Sequence, residues 1–253
     1  MAAFPLMLAG TSRPPKLVVF DLDHTLIACD ATILWTEFLY EKKIVTDPIW
    51  RQYDRDMVKS YAKGVLDIRD FCRKHAGAFR SIPEEKLHAL AQEFAKKKIA
   101  PLIFPDGKKW AKNALQANIP ACVLSASAAF IVKPIAKLFG LTDAMGIELA
   151  FKDGFCTGEI VGIPTFQEGK VERLSERLAE AGIDFEDVLF FTDSRNDLPL
   201  AERAGYTVCV NPDAVLESAA RKNGWKVAEW KLSLRTQMTA QVDAKGVPET
   251  PTV

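Results

Sequence analysis

Three short apolar runs, at residues 17–20, 119–124 and 188–192, each hand over to a polar residue: Asp21, Ser125 and Asp193. Short apolar runs bounded in this way read as strands buried on both faces. Helical patterns lie between them. One places Phe130, Ile131, Ile135, Leu138 and Phe139 on a face closed by Gly140, and another uses Val171, Leu174, Leu178 and Ala181. Strands are expected near residues 16–21, 120–125, 187–192, 206–210 and 226–229, with helices near 128–139, 169–182, 196–203 and 213–223. That alternation predicts an α/β protein, a doubly wound parallel sheet with helices on both faces. In such sheets ligands bind at the carboxyl ends of the strands, where the polar residues stand.

The richest strand end is Asp21-Leu22-Asp23-His24-Thr25. Within a strand, neighbouring side chains alternate faces, but at a strand-to-loop transition two carboxylates one residue apart can converge. Converging carboxylates need a metal or a shared proton, and one of them can act as a nucleophile with its neighbour as acid/base. Ser125, ahead of a helix, can meet a phosphate oxygen together with free helical N–H groups. Ser125 and Ser127 would serve equally as helix caps. Gly169-Lys170 opens a helix, where a cation is electrostatically misplaced unless it points to an anion. Asp193 and Asp197 supply the oxygen ligands that Mg²⁺ prefers, while Asp193 or Asn196 could instead cap a helix.

In order, D-x-D-x-T, strand-Ser, Gly-Lys and D-S-x-N-D resemble the haloacid dehalogenase superfamily of aspartate-nucleophile phosphatases, from about residue 16 to about residue 230. The residues between the first two motifs are similar to the helical C1-type cap of the phosphoserine phosphatase-like branch, subfamily IB. The resemblance implies a Rossmann-like core with an inserted α-helical cap: core over 1–30 and 106–234, cap over 31–105, and a flexible tail over 235–253. It implies that Asp21 attacks phosphorus and that Asp23 protonates the leaving alkoxide, then deprotonates the hydrolytic water. Ser125 and Lys170 would bind the phosphoryl oxygens, with Thr25 supporting the first loop in that phosphate-binding group. Mg²⁺ would be held by Asp21, the carbonyl of Asp23, and Asp193, with Asp197 completing the metal set by orienting it. Nothing in these positions departs from the family pattern, and His24 fills a variable slot without a role.

The physics agrees. Phosphoryl transfer calls for positioning and neutralised oxygens, which a metal, carboxylates and one lysine supply. Asp23 must hold a proton near neutral pH to act as an acid, and its acidic neighbours push it that way.

The expected product is a Mg²⁺-dependent phosphatase for a small phosphomonoester, phosphoserine- or histidinol phosphate-like. A phosphotransferase or mutase would carry the same motifs. A dehalogenase would use Asp21 on carbon and need no metal, and the intact Asp23, Asp193 and Asp197 argue against it; a non-catalytic binding protein would be expected to lose at least one of Asp21, Asp23, Lys170 or Asp193, and none is lost. Substrate choice should lie in the cap. There Asp30 either reads a substrate cation or caps the helix opening at Ala31, and Arg55, Arg69, Tyr53 and Tyr61 could meet a carboxylate or ring.

Composition removes other classes. The chain has 253 residues, 48% of them hydrophobic, enough for a full core and a subdomain. With 33 basic and 33 acidic residues there is no global electrostatic case for nucleic acid or an anionic membrane. No apolar stretch is long enough to span a bilayer. The five cysteines form no metal spacing, so reduced core thiols in a cytoplasmic protein are expected. Residues 1–10 read as a short arm rather than a signal peptide, and residues 146–163 as a hairpin added to the sheet. The sequence leaves the oligomeric state open.

Overall fold

The computed structural model describes residues 14–232. The arm at residues 1–10 and the tail at 235–253 lie outside the described residues. In chain order, β1 (Leu17–Phe20) is followed by four helices, α1 (Ala31–Glu41), α2 (Ile49–Lys63), α3 (Ile68–His75) and α4 (Glu84–Phe94). A π-helical turn (Ala95–Ile99) and a 3₁₀ turn (Ala100–Leu102) then lead to α5 (Pro105–Gln116). Next come β2 (Ala121–Ala128), α6 (Ala129–Ala136), β3 (Asp143–Ile147), β4 (Leu149–Lys152), β5 (Phe155–Ile160) and α7 (Glu168–Ala181). The chain continues through β6 (Val188–Thr192), a short α8 (Leu198–Ala201), β7 (Tyr206–Val210), α9 (Ala214–Asn223) and β8 (Lys226–Ala228).

Six strands form one sheet in the order β3-β2-β1-β6-β7-β8, and every pairing is parallel. β1 is fully buried because it lies at the centre, with Val18 opposite Ala121 on one side and Leu189 on the other. The period of two along β1 splits its side chains between the faces. Val18 and Phe20 join the cluster that holds Ala111, Ala114 and Phe130, and Leu17 and Val19 join Leu174, Leu178 and Leu200. The chain winds outward from β1 to β3, then returns to β6 on β1's other edge. The strand order therefore reverses between β1 and β6, which puts the switch-point crevice at Asp21 and Asp193.

The helices of residues 31–94 have no core of their own. Trp35 packs edge-on against Phe94 at 5.4 Å and against Phe130 of α6 at 5.6 Å, so one apolar cluster runs from this insertion to the sheet.

Three sequence expectations are corrected. The expected hairpin over 146–163 begins later: residues 143–147 form β3, a sixth parallel strand, and β4-β5 make the antiparallel pair. That pair is also not an extension of the main sheet. It docks on the helical insertion, where a Cβ at Gly158 would lie 2.8 Å from the Cys72 carbonyl oxygen and where the Glu84 amide bonds the Gly154 carbonyl. β2 also runs through Ala128 instead of ending at Ser125, with a register shift between Leu124 and Ala128.

Candidate active site

The Asp21 amide donates to the Phe191 carbonyl at 2.9 Å, which ties the loop after β1 to β6. Asp21 Oδ1 accepts from Lys170 Nζ at 2.7 Å, and Lys170 also donates to Asp197 Oδ2 at 2.8 Å. Thr192 donates to the same Asp197 oxygen at 2.7 Å. Lys170 reaches this point because α7 starts unusually close to the preceding loop. A Cβ on Gly169 would lie 1.9 Å from the Pro164 carbonyl oxygen, and Gln167 is held at φ 49°.

Burial alone would strip Lys170 of its charge, but the Asp197 and Asp21 carboxylates outweigh it and hold the ammonium above the ordinary lysine range. Burial raises Asp21, with Lys170 opposing and Asp23 reinforcing. It also lifts Asp193 well above the carboxylate range, helped by Asp21 and Asp197, and brings Asp197 to about 6 against the pull of Lys170.

Asp23 is set differently. Its Oδ1 accepts from the Ala31 amide at 2.6 Å, and its Oδ2 from Ser127 Oγ at 2.9 Å and Ser125 Oγ at 3.1 Å. Burial and then the Asp30 charge raise its pKa to about 6, against the Ala31 amide and the Ser127 hydroxyl. A carboxyl with that pKa can both give and take a proton near neutrality.

Asp21, Asp23, Asp30, Ser127 and Asp193 share the wall of one cavity of about 490 Å³ between the strand ends and the helical insertion. Other sequence candidates lie elsewhere. Ser125 is fully buried below this wall, with its hydroxyl spent on Asp23 and the Ser127 amide, so Ser127 is the β2 hydroxyl that meets the cavity. Thr25, fully buried and off the cavity wall, donates to Asp193 at 3.2 Å and so orients that carboxylate. Asp197 does not reach the cavity wall, because Lys170 and Thr192 occupy its oxygens. Arg55 and Arg69 are exposed, and neither lines the cavity; Arg55 is turned to Gln52.

Asp30 fulfils one reading and leaves room for the other. Its Oδ1 caps α1, accepting from the Thr32 and Ile33 amides at 2.9 and 3.0 Å, while the carboxyl group as a whole lines the cavity.

Sequence reasoning did not find the contact that holds the insertion over the strand ends. Asn196 Nδ2 donates to the Tyr61 carbonyl at 3.0 Å, and Gln167 Nε2 donates to the Gly64 carbonyl at 3.2 Å. These bonds join the end of α2 to the loops after β6 and before α7. The only signal was Asn196 inside the D-S-x-N-D run, where it reads as a helix cap.

The donor set fits a divalent cation. Asp21 and Asp197 are buried around the Lys170 ammonium, Asp23 and Asp193 stand half-buried beside them, and all four carboxyls are shifted toward protonation. A doubly charged cation would replace those protons. Among the described residues no three acidic, imidazole or thiol side chains are gathered as a complete ligand set. Mg²⁺ takes one or two carboxylates and keeps several waters, so two carboxylates at the cavity would be enough for it. Asp21 and Asp193, both facing the cavity, are the residues placed to hold it.

Among the described residues no helix is long and apolar enough to cross a membrane. The haloacid dehalogenase-like hydrolase family matches residues 18–202. A histidinol-phosphatase of Neisseria meningitidis serogroup C (strain 8013) is 35% identical over 220 residues, covering 85% of this chain and 99% of its own length. A protein of unknown function from Bordetella pertussis Tohama I has a solved structure with a TM-score of 0.77 and 30% identity, covering 85% of this chain and 98% of that one. A phosphoserine phosphatase, solved as an analogue of its phospho-aspartyl intermediate, shares the fold at a TM-score of 0.64 and 21% identity, covering 90% and 99%.

Proposed function

Because the chain belongs to the haloacid dehalogenase-like hydrolase family, we propose that it is a Mg²⁺-dependent phosphatase that works through an aspartyl-phosphate at Asp21 on a small phosphomonoester. The observation that carries this reading is the pairing of Asp21 and Asp23 on one cavity wall. Asp21 is held by Lys170, and Asp23 is poised at about 6.

In this mechanism a carboxylate oxygen of Asp21 attacks phosphorus. As the bond to the leaving oxygen breaks, that oxygen takes the proton of Asp23. The same carboxylate of Asp23 then removes a proton from water as its oxygen attacks the phosphorus of the acyl-phosphate, which releases phosphate and regenerates Asp21. Lys170 sits behind Asp21, off the cavity wall, and acts through it: its ammonium holds the attacking carboxylate in place and offsets the negative charge gathered there. The Ser127 hydroxyl lines the same wall and supports both Asp23 and the phosphoryl group. Mg²⁺, held by Asp21, Asp193 and the Asp23 carbonyl, would supply charge neutralisation for the phosphoryl oxygens. Asp197 acts through Lys170, and Thr25 through Asp193.

The helical insertion acts as a cap, excluding water and holding the leaving group. Its hydrogen bonds through Asn196 and Gln167 support this reading, since they seat α2 on the catalytic loops. The relative named a histidinol-phosphatase supports a small phosphorylated metabolite as the substrate.

A phosphate-release assay over small phosphomonoesters tests this reading. Hydrolysis should stop in excess chelator and return with Mg²⁺, while Ca²⁺, with its larger and looser shell, should substitute poorly. Full turnover in excess chelator would overturn the metal assignment.

A further inference from the structure

We propose that the chamber selects phosphate esters of cationic, largely apolar amino alcohols and rejects leaving groups that carry a carboxylate; this rests on the phosphatase reading above. Beyond the catalytic end, the cavity is faced by Ile33 and Leu34 of α1, Met57 and Val58 of α2, Leu66, and Phe71 of α3. Its charged side chains are five carboxylates, Asp21, Asp23, Asp30, Glu37 and Asp193, and among the described residues that line it there is no lysine or arginine. The imidazole of His24 is its one basic side chain.

Two of those carboxylates lie away from the proposed chemistry. Glu37 is already paired, since both its oxygens accept from Arg51 at 2.7 Å. Asp30 is not. Its Oδ1 caps α1, and among the described residues its Oδ2 has no hydrogen bond to protein. A substrate ammonium in the chamber therefore has a partner on the wall. A substrate carboxylate finds no uncommitted cation: the His24 imidazole already stands beside the Asp23 and Asp30 carboxylates and offsets them, Arg55 is turned to Gln52, Arg69 stands outside, and Lys170 sits behind Asp21. It would instead be stripped of water beside Asp30, and like charges juxtaposed in such a site are strongly disfavoured. The apolar walls and the volume of about 490 Å³ favour a ring or alkyl group over the short polar side chain of serine.

Three esters separate the possibilities, each assayed with the full chain and Mg²⁺. Histidinol phosphate carries an amine and a ring, O-phosphoserine an amine and a carboxylate, and phenyl phosphate neither charge. The kcat/KM for histidinol phosphate should exceed that for O-phosphoserine by at least ~100-fold, the scale on which a site rejects a group it leaves unpaired. Asp30→Asn keeps the oxygen that caps α1 and removes the charge. It should shrink the preference for histidinol phosphate over phenyl phosphate by at least ~10-fold, mainly through KM. Leu66→Arg, which adds a cation to the wall, should raise turnover of O-phosphoserine.

Equal or better turnover of O-phosphoserine by the native chain would overturn the proposal. So would an Asp30→Asn variant that loses activity equally on all three esters, since Asp30 would then be only a helix cap. Failure of the native chain to hydrolyse even phenyl phosphate would instead strike the phosphatase reading itself.

Discussion

Two clusters of buried ionisable groups sit on either side of the cavity, and they meet burial in opposite ways. At the strand ends Lys170 bridges Asp21 and Asp197 at 2.7 Å, and Thr192 completes Asp197. In the helical insertion, Asp54 of α2 lies 3.5 Å from His75 of α3, too far for a hydrogen bond. Asp54 Oδ1 has no hydrogen-bond partner, while His75 turns to the Thr36 hydroxyl at 3.0 Å. The first cluster keeps its ammonium charged. The second gives its charges up: burial brings His75 down to about 4 and Asp54 up to about 7. Burial alone therefore does not decide whether a group stays ionised. A partner within reach, held by rigid strand ends, decides it.

The largest effect should come from breaking the first cluster. Lys170→Met leaves Asp21 and Asp197 buried without a cation, and removing one partner of such a pair costs ~3–5 kcal/mol. Denaturant unfolding at neutral pH should show that loss, with Mg²⁺ recovering part of it. A change below ~1 kcal/mol, the range of an exposed pair, would mean that the cluster is not held as described.

The second cluster should be quieter, and its pH dependence has a definite sign. His75, at about 4 in the fold against 6.5 in the open chain, contributes stability that is intact above about 6.5 and is lost as pH falls toward 4. Asp54, raised from 3.8 to about 7, contributes stability that is present below 3.8 and is lost as pH rises toward 7. Between about 4 and 6.5 the two slopes cancel. In His75→Gln only the Asp54 slope remains. The variant should lose stability relative to the native protein by about 1.4 kcal/mol for each pH unit gained in that window. Parallel curves for the two proteins would show that His75 is not held neutral.

The same contrast explains what the sequence revealed. Asp21, Asp23, Asp193 and Lys170 were legible because each follows an apolar strand or opens a helix where its charge is out of place. Ser127 was not, because β2 runs three residues beyond the expected end at Ser125, through a register shift that a serine-alanine alternation does not announce. β3 was missed because Asp143-Ala144-Met145-Gly146-Ile147 lacks an apolar run, and as an edge strand it needs none. The chamber walls were invisible for another reason. Met57, Leu66 and Phe71 sit in or beside helices, where apolar residues read as core until the neighbouring helix is placed. The cationic candidates Arg55 and Arg69 were chosen by charge, which does not say which way a helix face turns.

Phosphorylation of Asp21 is viewed most directly in Asp23→Asn. With p-nitrophenyl phosphate the leaving group departs without a proton, so the first step proceeds, while hydrolysis of the acyl-phosphate lacks its base and slows by roughly a hundredfold to ten-thousandfold. Rapid acid quench and mass spectrometry of the peptide containing Asp21 should then find one phosphoryl group on that residue, at near-stoichiometric yield, with a matching burst of p-nitrophenol. Continued turnover with no burst and no phosphate on Asp21, or a phosphoryl group trapped on another residue, would contradict the account.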